Sequence, residues 1–242
     1  MTTTDWKTLA RELREALGLQ TTPLAIAFSN EAPAGVRAFD GPMPEPAQDG
    51  RTGKVSAGCV FWMHGVERPF TTIREDHFNC SVGSVTHGLK KLEEVMDNED
   101  VKCLVESEWV SLEEALRLPF VKERYRYITY APLAETPVDP DVVLLRINAF
   151  QVMAIQDTFK DVVMVGKPQC HIVPISKEQN RVAISTGCML SRVRTGMSPD
   201  EMTCTIPARR LEEVVERLWA RRAANAAVAA YANRDSRRFG GG

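Results

Sequence analysis

Four single cysteines spread across the chain place the strongest constraint on how it can fold. They stand in the segments "GCVFW" (58–62), "HFNCSVG" (77–83), "KPQCHIV" (167–173) and "STGCMLS" (185–191). The chain has no C-x-x-C pair, so no two of these thiols are brought together by local sequence. If Cys59, Cys80, Cys170 and Cys188 act as one site, only the tertiary structure can gather them.

The sequence around these four cysteines differs from that of an ordinary buried cysteine. Each is predicted at a loop or at the end of a strand, and Cys59 and Cys188 directly follow glycine. Glycine lets the backbone approach closely and expose its N–H, and the sulfur atoms of a metal cluster need such donors. Cys103 in "VKCLV" and Cys204 in "MTCTIP" instead fit the role of a small buried apolar residue.

Charge and composition exclude several classes of partner. The net charge of −2 does not favour binding to nucleic acid or to an anionic membrane surface. No apolar run has the length of a membrane span, and residues 1–18 lack the layout of a signal peptide. We therefore predict a cytoplasmic protein, in which the six cysteines are free thiols, metal ligands or catalytic groups and not disulfides.

Hydrophobic periodicity predicts an α+β fold with a mixed sheet and surrounding helices. An amphipathic helix over 4–17 stops at Gly18, and residues 40–58, with three prolines and four glycines, form a loop. "SLEEALRL" (111–118) opens with a capping box. Strands are predicted at 22–28, 68–73, 126–133, 141–147 and 181–186, and further helices at 83–96, 148–160 and 207–234.

The order of the elements suggests an internal repeat within one domain. A strand at 22–28 is followed by Cys59 and Cys80, and a strand at 141–147 is followed by Cys170 and Cys188. The related halves would cover about 20–100 and 138–205, each bringing two cysteines to a shared interface. Residues 219–242 form a C-terminal helical extension with a frayed tail, and its Ala-rich face is also compatible with a homo-oligomer.

Spacing alone leaves the chemistry of the four cysteines open. Structural zinc usually takes ligands in close pairs, whereas in a [4Fe–4S] cluster each thiolate binds its own iron, which suits scattered cysteines better. Buried core thiols and redox-active thiols are the other interpretations. His77, three residues before Cys80, and His171, directly after Cys170, are candidate donors or proton carriers beside the cofactor. Arg192, shortly after Cys188, is a candidate for binding an anionic ligand or offsetting cluster charge.

The chain resembles the domain-of-unknown-function 169 family (DUF169) over about residues 5–218. The resemblance rests on segments along the whole chain: "ALGL" (16–19), "TPLAIAF" (22–28), Cys59-Val-Phe, "CSVG" (80–83) with "HGL" (87–89), "YAPL" (130–133), "DPDVVLL" (139–145) and "TGC-x-x-SR" (186–192). Ser84 stands where family members often have a second glycine. The family pattern places single cysteines at the positions of Cys59, Cys80, Cys170 and Cys188, and it implies an iron–sulfur role.

Together, the residues and the resemblance predict a [4Fe–4S] cluster held by these four cysteines, serving electron transfer or small-molecule redox chemistry. The expected partner is a redox partner or a small molecule. A zinc-stabilised or metal-free binding module is the alternative from another class, and a thiol-based redox enzyme is the third.

Overall fold

The computed structural model describes residues 4–40 and 58–239, which form an α+β fold around one mixed sheet. This is the predicted fold class. The strands are β1 (Leu24–Ser29), β2 (Phe70–Ile73), β3 (Tyr127–Pro132), β4 (Val142–Ile147), β5 (Val163–Val165), β6 (Ala183–Ser185) and β7 (Met202–Pro207). They lie in the order β2-β3-β1-β4-β7-β6-β5, and only the β5–β6 pair is parallel.

The helices surround this sheet on both faces. They are α1 (Trp6–Leu17), α2 (Gly58–Gly65), α3 (Ser81–Thr86), α4 (Glu99–Glu106), α5 (Leu112–Leu116), α6 (Ala149–Thr158), α7 (Ile172–Gln179), α8 (Met189–Thr195) and α9 (Leu211–Asp235). Short 3₁₀ turns precede several of them, including those at Arg74–His77 and Gln169–His171. In the described part of the chain, no helix combines the length and the apolar character that crossing a membrane requires.

The two halves of the chain use the same order of strands. Counted outward from the centre of the sheet, the strands of the first half lie in the order β1, β3, β2, and those of the second half lie in the order β4, β7, β6. The antiparallel pairing of β1 with β4 joins the halves at the centre of the sheet. In the first half Cys59 precedes β2 and Cys80 follows it, and in the second half Cys170 precedes β6 and Cys188 follows it.

Two apolar cores pack on opposite faces of the sheet. Because side chains alternate along a strand, Leu24 and Ile26 of β1 face one core while Ala25 faces the other. The core on the Ala25 side is filled by α1, α6 and α9. The core on the Leu24 side is filled by α2 and α7, and it includes Cys59 and Cys170 at its margin.

The structure confirms several local predictions and corrects others. Helix α1 ends at Gly18, which adopts a left-handed φ of 63°, and Ser111 caps α5 through the predicted capping box. The single helix predicted over 83–96 is wrong, because the chain leaves α3 at His87 and Gly88 has a φ of 70°. Most of the predicted loop at 40–58 lies outside the described residues.

Six of the described helices and strands were not predicted from the sequence: α2, α4, α7, α8, β5 and β7. The segment around Cys59 was expected to be a loop or strand end, but it is helical. Three consecutive residues of α2, Val60, Phe61 and Trp62, are buried, so this helix lacks the polar face on which periodicity-based prediction depends. Helix α9 reaches Asp235, and a 3₁₀ turn follows it at Ser236–Phe239, where a frayed tail was expected.

Candidate functional site

Helix α2 carries Cys59, and close packing against the sheet fixes its position. A Cβ atom at Gly65 would lie 2.6 Å from Cδ1 of Leu24 and 2.8 Å from Cβ of Tyr130. Only glycine therefore allows the last turn of α2 to approach β1 and β3 this closely. Phe61 packs on Tyr130 with 5.8 Å between the ring centroids, which holds the first turn of the helix and Cys59 over the same face.

Cys80 and Cys188 occupy equivalent positions at the starts of two short helices. Cys80 directly precedes α3 and Cys188 directly precedes α8, both with extended backbone. The first turn of α3 is anchored by Ser81, whose backbone amide and hydroxyl both bond to the carboxylate of Asp100, at 2.9 and 2.6 Å. Each cysteine thus presents its side chain from a fixed helix start, which holds the thiol in place.

All four predicted cysteines line one pocket between α2, α3, α8 and the 3₁₀ turn at Gln169–His171. Gly83 lies beside them, and a Cβ atom there would be 3.5 Å from the sulfur of Cys80. The pocket has a volume of about 30 Å³, which is room for about two water molecules. A larger group would require the thiols to rotate away from the centre about χ1, as the staggered rotamers of cysteine allow.

The two remaining cysteines lie elsewhere. Cys204 is fully buried in the core on the opposite face of the sheet, as predicted. Cys103 was predicted to be buried, but it is exposed on α4, because that helix turns Val101 and Leu104 inward instead.

The environment of the pocket disfavours free thiolates. Burial raises the pKa of Cys59 to about 12, and the neighbouring Cys80 adds to the shift. Burial likewise raises the pKa of Cys170 and of Cys188, and in both cases the charge of Cys80 contributes. The four sulfurs are close enough to repel one another as anions, so they become thiolates together only if a cation lies among them.

Arg194 supplies positive charge at the pocket. Burial opposes its charge, but the charges of Cys80 and Cys59 outweigh that effect and raise the pKa of its guanidinium. Arg194 lines the pocket, and its Nη1 is buried without a hydrogen-bond partner among the described residues. The structure does not place Arg192 on the pocket wall; its guanidinium donates to the carbonyl oxygens of Thr186 and Glu201, at 2.9 and 3.0 Å.

Neither of the two predicted histidines lies on the wall of the pocket. His77 is buried, with its ring centroid 4.8 Å from that of Phe61 and 6.2 Å from that of Tyr130. His171 follows Cys170, and burial lowers the pKa of its imidazole to about 4. Neither side chain lines the cysteine pocket, so direct contact with a ligand there does not follow from the structure.

Sequence reasoning did not single out His87, which lies behind the pocket. Its Nδ1 donates to the carbonyl oxygen of Gly83 at 2.8 Å, so Nε2 is the unprotonated nitrogen. Burial lowers the pKa of this imidazole to about 4. The ring lies 6.0 Å from that of His77, and its Cε1 is 3.8 Å from the place of a Cβ at Gly58, on the pocket wall.

Buried polar atoms without partners concentrate around this site. Protein interiors normally pair such atoms, so a group of them needs an explanation. Within 4–40 and 58–239 the unpartnered atoms are Trp62 Nε1, His77 Nδ1, His87 Nε2, Tyr130 Oη, Gln169 Oε1, His171 Nε2, Arg194 Nη1 and Thr203 Oγ1. His171 directly follows Cys170, and each of the others belongs to the wall of the cysteine pocket, to an adjoining cavity, or to the side chains packed behind them.

Gln169 and Ser191 also line the pocket and were missed from the sequence. They connect to Cys59, because Gln169 donates its side-chain amide to the hydroxyl of Ser191 and that hydroxyl bonds to the sulfur of Cys59. Helical spacing was the available signal. Once 189–195 is known to be helical, Ser191 and Arg194 fall three residues apart on one face.

The arrangement of donors differs from that of a single-ion site. Among the residues that the structure describes, no three His, Cys, Asp or Glu side chains converge closely enough to hold one metal ion. The four thiols instead surround a space, approaching it from separate elements.

Comparison with known proteins gives one match. No curated protein and no solved structure matches the chain significantly. The sequence model of DUF169, described as an uncharacterised ArCR family, matches residues 12–217 and so includes all four pocket cysteines. Because this match covers far more than half of the 242 residues, the chain belongs to the DUF169 family.

Proposed function

We propose that the pocket binds a [4Fe–4S] cluster through Cys59, Cys80, Cys170 and Cys188, and that the protein is an electron carrier. The observation that carries this proposal is the convergence of four isolated cysteines, from positions 59 to 188, on one pocket. When bound, such a cluster supplies one-electron transfer.

The donor set suits a cluster because each thiolate binds its own iron at a separate corner. Ligands of a cluster therefore surround a volume, whereas ligands of a single zinc ion all lie about 2.3 Å from one point. Thiols that approach one space from α2, α3, α8 and the turn at 169–171 fit the first requirement.

A cluster with four thiolate ligands has a negative net charge, and the residues around the pocket supply positive charge and hydrogen-bond donors. The guanidinium of Arg194 lies beside Cys80 and Cys59. The backbone amides of Ser191, Leu190 and Gln169 donate toward the sulfur of Cys188. Charge and hydrogen bonds of this kind stabilise the cluster and set its reduction potential.

The thiol pKa values argue against a thiol-based redox enzyme. Catalytic cysteines have lowered pKa values, because the thiolate is the nucleophile. Here burial raises the pKa of Cys59, Cys170 and Cys188. A raised pKa disfavours the thiolate form, so these three thiols suit metal binding, in which the metal displaces their protons.

Electron transfer is favoured over substrate activation at the cluster because four thiolates leave no iron open. Cys80 and Cys188 are buried, while Cys59 and Cys170 are partly exposed. The site therefore lies near enough to the surface for a redox partner to approach it from the side of Cys59 and Cys170.

The decisive experiment is anaerobic purification and reconstitution, followed by analysis of iron, sulfide and zinc. We expect about four irons and four sulfides per chain, with the broad visible absorption of a cluster. Replacing each of the four cysteines by serine in turn should abolish cluster incorporation. Cys103→Ser is the matched control, since this thiol is exposed on α4, and it should leave iron and sulfide content unchanged.

Two results would contradict the proposal in different ways. A colourless protein with one zinc per chain would identify the zinc-stabilised module instead. An intact cluster after one of the four replacements would show that one iron lacks a protein ligand, and the assignment as a fully ligated electron carrier would be wrong.

A further inference from the structure

A groove of about 400 Å³ lies between the ends of α3 and α5 and the segments that follow these helices. One wall comes from residues within 85–93 and the other from residues within 115–124. We refer to it as the Phe120 groove, after the aromatic residue on its wall. Among the described residues, none lines both this groove and the cysteine pocket. Its volume lies within the roughly 300–1,000 Å³ that is typical of small-molecule sites.

Backbone contacts fix the distance between the two walls. The amide of Val121 donates to the carbonyl oxygen of Thr86 at 2.9 Å. Gly88 lies so close to Val121 that a Cβ atom there would be 2.2 Å from its carbonyl oxygen. Glu94, next to the first wall, lies 3.9 Å from the guanidinium of Arg124 on the second. The groove is therefore preformed, and a ligand that binds there does not have to order its walls first.

Positive charge predominates on the walls. Glu93 is the acidic residue among the described residues of the groove, and four cationic side chains line it: Lys90, Lys91, Lys122 and Arg124. Arg124 is paired with Glu94, whereas the three lysines form no salt bridge with a carboxylate in the described part of the chain. An anionic group in the groove would therefore gain positive partners that are not already paired.

The inner end of the groove is apolar. Four residues line both the groove and a smaller cavity next to it, whose wall includes the buried Val95 and Val101: these shared residues are Val85, Leu92, Ala115 and Leu118. None of the four cations lines that cavity. Leu116 and Phe120 extend the apolar surface outward and are 67% and 54% exposed. Charge and apolar surface are thus segregated within one groove, and exposed apolar surface of this kind marks interaction sites.

We propose that the Phe120 groove binds a small amphipathic anion, with its charged group against the lysines and its apolar chain along Leu118 and Phe120. A medium-chain carboxylate is the simplest molecule of this class. An inorganic anion would leave the apolar surface exposed, and a neutral apolar molecule would leave the lysines unpaired. The size of the groove favours a small molecule over a protein partner, because a stable protein interface buries about 800 Å² on each side.

The test is isothermal titration calorimetry of the full chain with four related probes. Octanoate has both the charge and the chain, octanol has the chain alone, acetate has the charge alone, and octylammonium has the chain with the opposite charge. We expect saturable binding of octanoate, about tenfold weaker binding of octanol and of acetate, and none of octylammonium. Because salt screens exposed charges, the affinity for octanoate should also fall as the ionic strength rises.

Variants of the groove test each part of the ligand separately. The double variant Lys91→Gln/Lys122→Gln removes one unpaired charge from each wall, so it should weaken octanoate binding about fivefold and leave octanol binding unchanged. Phe120→Ser should weaken the binding of both probes. Lys7→Gln is the matched control, because this exposed lysine lies on α1, outside the groove, and it should change neither. All four side chains are exposed, and melting curves verify that each variant is folded.

Several results would overturn the inference. They are no saturable binding of octanoate, equally tight binding of octanol or of acetate, and no effect of the double variant. If sedimenting vesicles of anionic lipid carry down the wild type but not the double variant, and free octanoate does not bind, the surface contacts a membrane instead. The titrations use iron-free protein, so failure to incorporate a cluster would remove the proposed function and leave this inference standing.

Discussion

Nε2 of His77 lies 2.8 Å from the hydroxyl oxygen of Thr72, and that hydroxyl lies 3.0 Å from the carbonyl oxygen of Ile128. Because the carbonyl can only accept, the hydroxyl donates its one proton there, and the imidazole must donate from Nε2. Nδ1 of His77 is then an unprotonated acceptor, buried without a partner among the described residues. The hydrogen bonds thus hold this histidine in one neutral tautomer.

Buried neutral histidines make stability fall in mild acid. Burial lowers the pKa of His77 well below its usual value, and that of His87 to about 4. At pH values between the usual histidine pKa of about 6.5 and the lower pKa in the folded state, the unfolded chain binds protons that the folded chain does not bind. The stability that is present above pH ~6.5 is therefore lost as the pH falls. For His87 alone we expect about 2 kcal/mol less stability at pH ~5 than at pH ~7. Urea unfolding of the wild type and of His87→Gln measures this, and parallel pH profiles of the two would contradict it.

Gly88 should tolerate no side chain. It has a φ of 70°, and a Cβ atom there would lie 2.2 Å from the carbonyl oxygen of Val121. We expect Gly88→Ala to lower the free energy of unfolding by about 3 kcal/mol or more, through backbone strain and the clash together. Gly18→Ala is the matched control, since Gly18 has a φ of 63° but no atom within 4 Å of the same position. It should cost about 1 kcal/mol, and equal losses for the two variants would show that the contact with Val121 is unimportant.

Arg194 should tune the proposed cluster, whereas Arg192 should not. Removing the positive charge beside Cys80 and Cys59 disfavours the more negative reduced state. We expect Arg194→Met to lower the reduction potential by roughly 50 mV, which corresponds to about 1 kcal/mol for one electron. Arg192→Met loses bonds to backbone carbonyls, so it should reduce stability and leave the potential unchanged. Spectroelectrochemical titration of both variants tests this, and a larger shift for Arg192→Met would reverse the assignment.

The second half of α9 should be dispensable for folding. The buried residues of this helix end at Leu218, and the DUF169 match ends at residue 217. Helical segments without tertiary packing are marginally stable, so a chain ending at Arg222 should lose helical circular dichroism but keep its thermal midpoint within about 3 °C. A large drop in the midpoint, or a change in molecular mass by light scattering, would show that residues 223–242 pack against another part of the assembly.

Local sequence signals predicted those parts of the fold that depend on local interactions. Gly18 ended α1 and Ser111 capped α5 as expected, because caps act within one turn. Helix α2 was missed because its apolar residues do not alternate with polar ones. The break after α3 lies at Gly88, whose φ of 70° ends the helix much as Gly18 ends α1, so the signal was present in the sequence although the helix predicted over 83–96 ran through it.

The membership of the candidate site was only partly predictable. The glycines beside Cys59 and Cys188 and the absence of close pairs set four cysteines apart from Cys204, and the structure brings those four to one pocket. Their metal-binding role stays a prediction. Arg194 could be distinguished from Arg192 only by the face of α8 on which it lies. Trp62, Gln169 and Thr203 are far apart in the sequence, and only the tertiary structure brings them to one cavity.

The interleaved order of the strands has a consequence for biosynthesis. Cys188 is followed in sequence by β7, yet β7 lies between β4 and β6 and must be inserted there to join β6 to the rest of the sheet. While the chain is emerging from the ribosome, Cys59 and Cys80 are made long before their two partners are held in place. Any cofactor bound by all four thiols must therefore be delivered after translation, to a nearly finished fold. The donor that delivers it would then meet the protein beside Cys59 and Cys170, which are partly exposed.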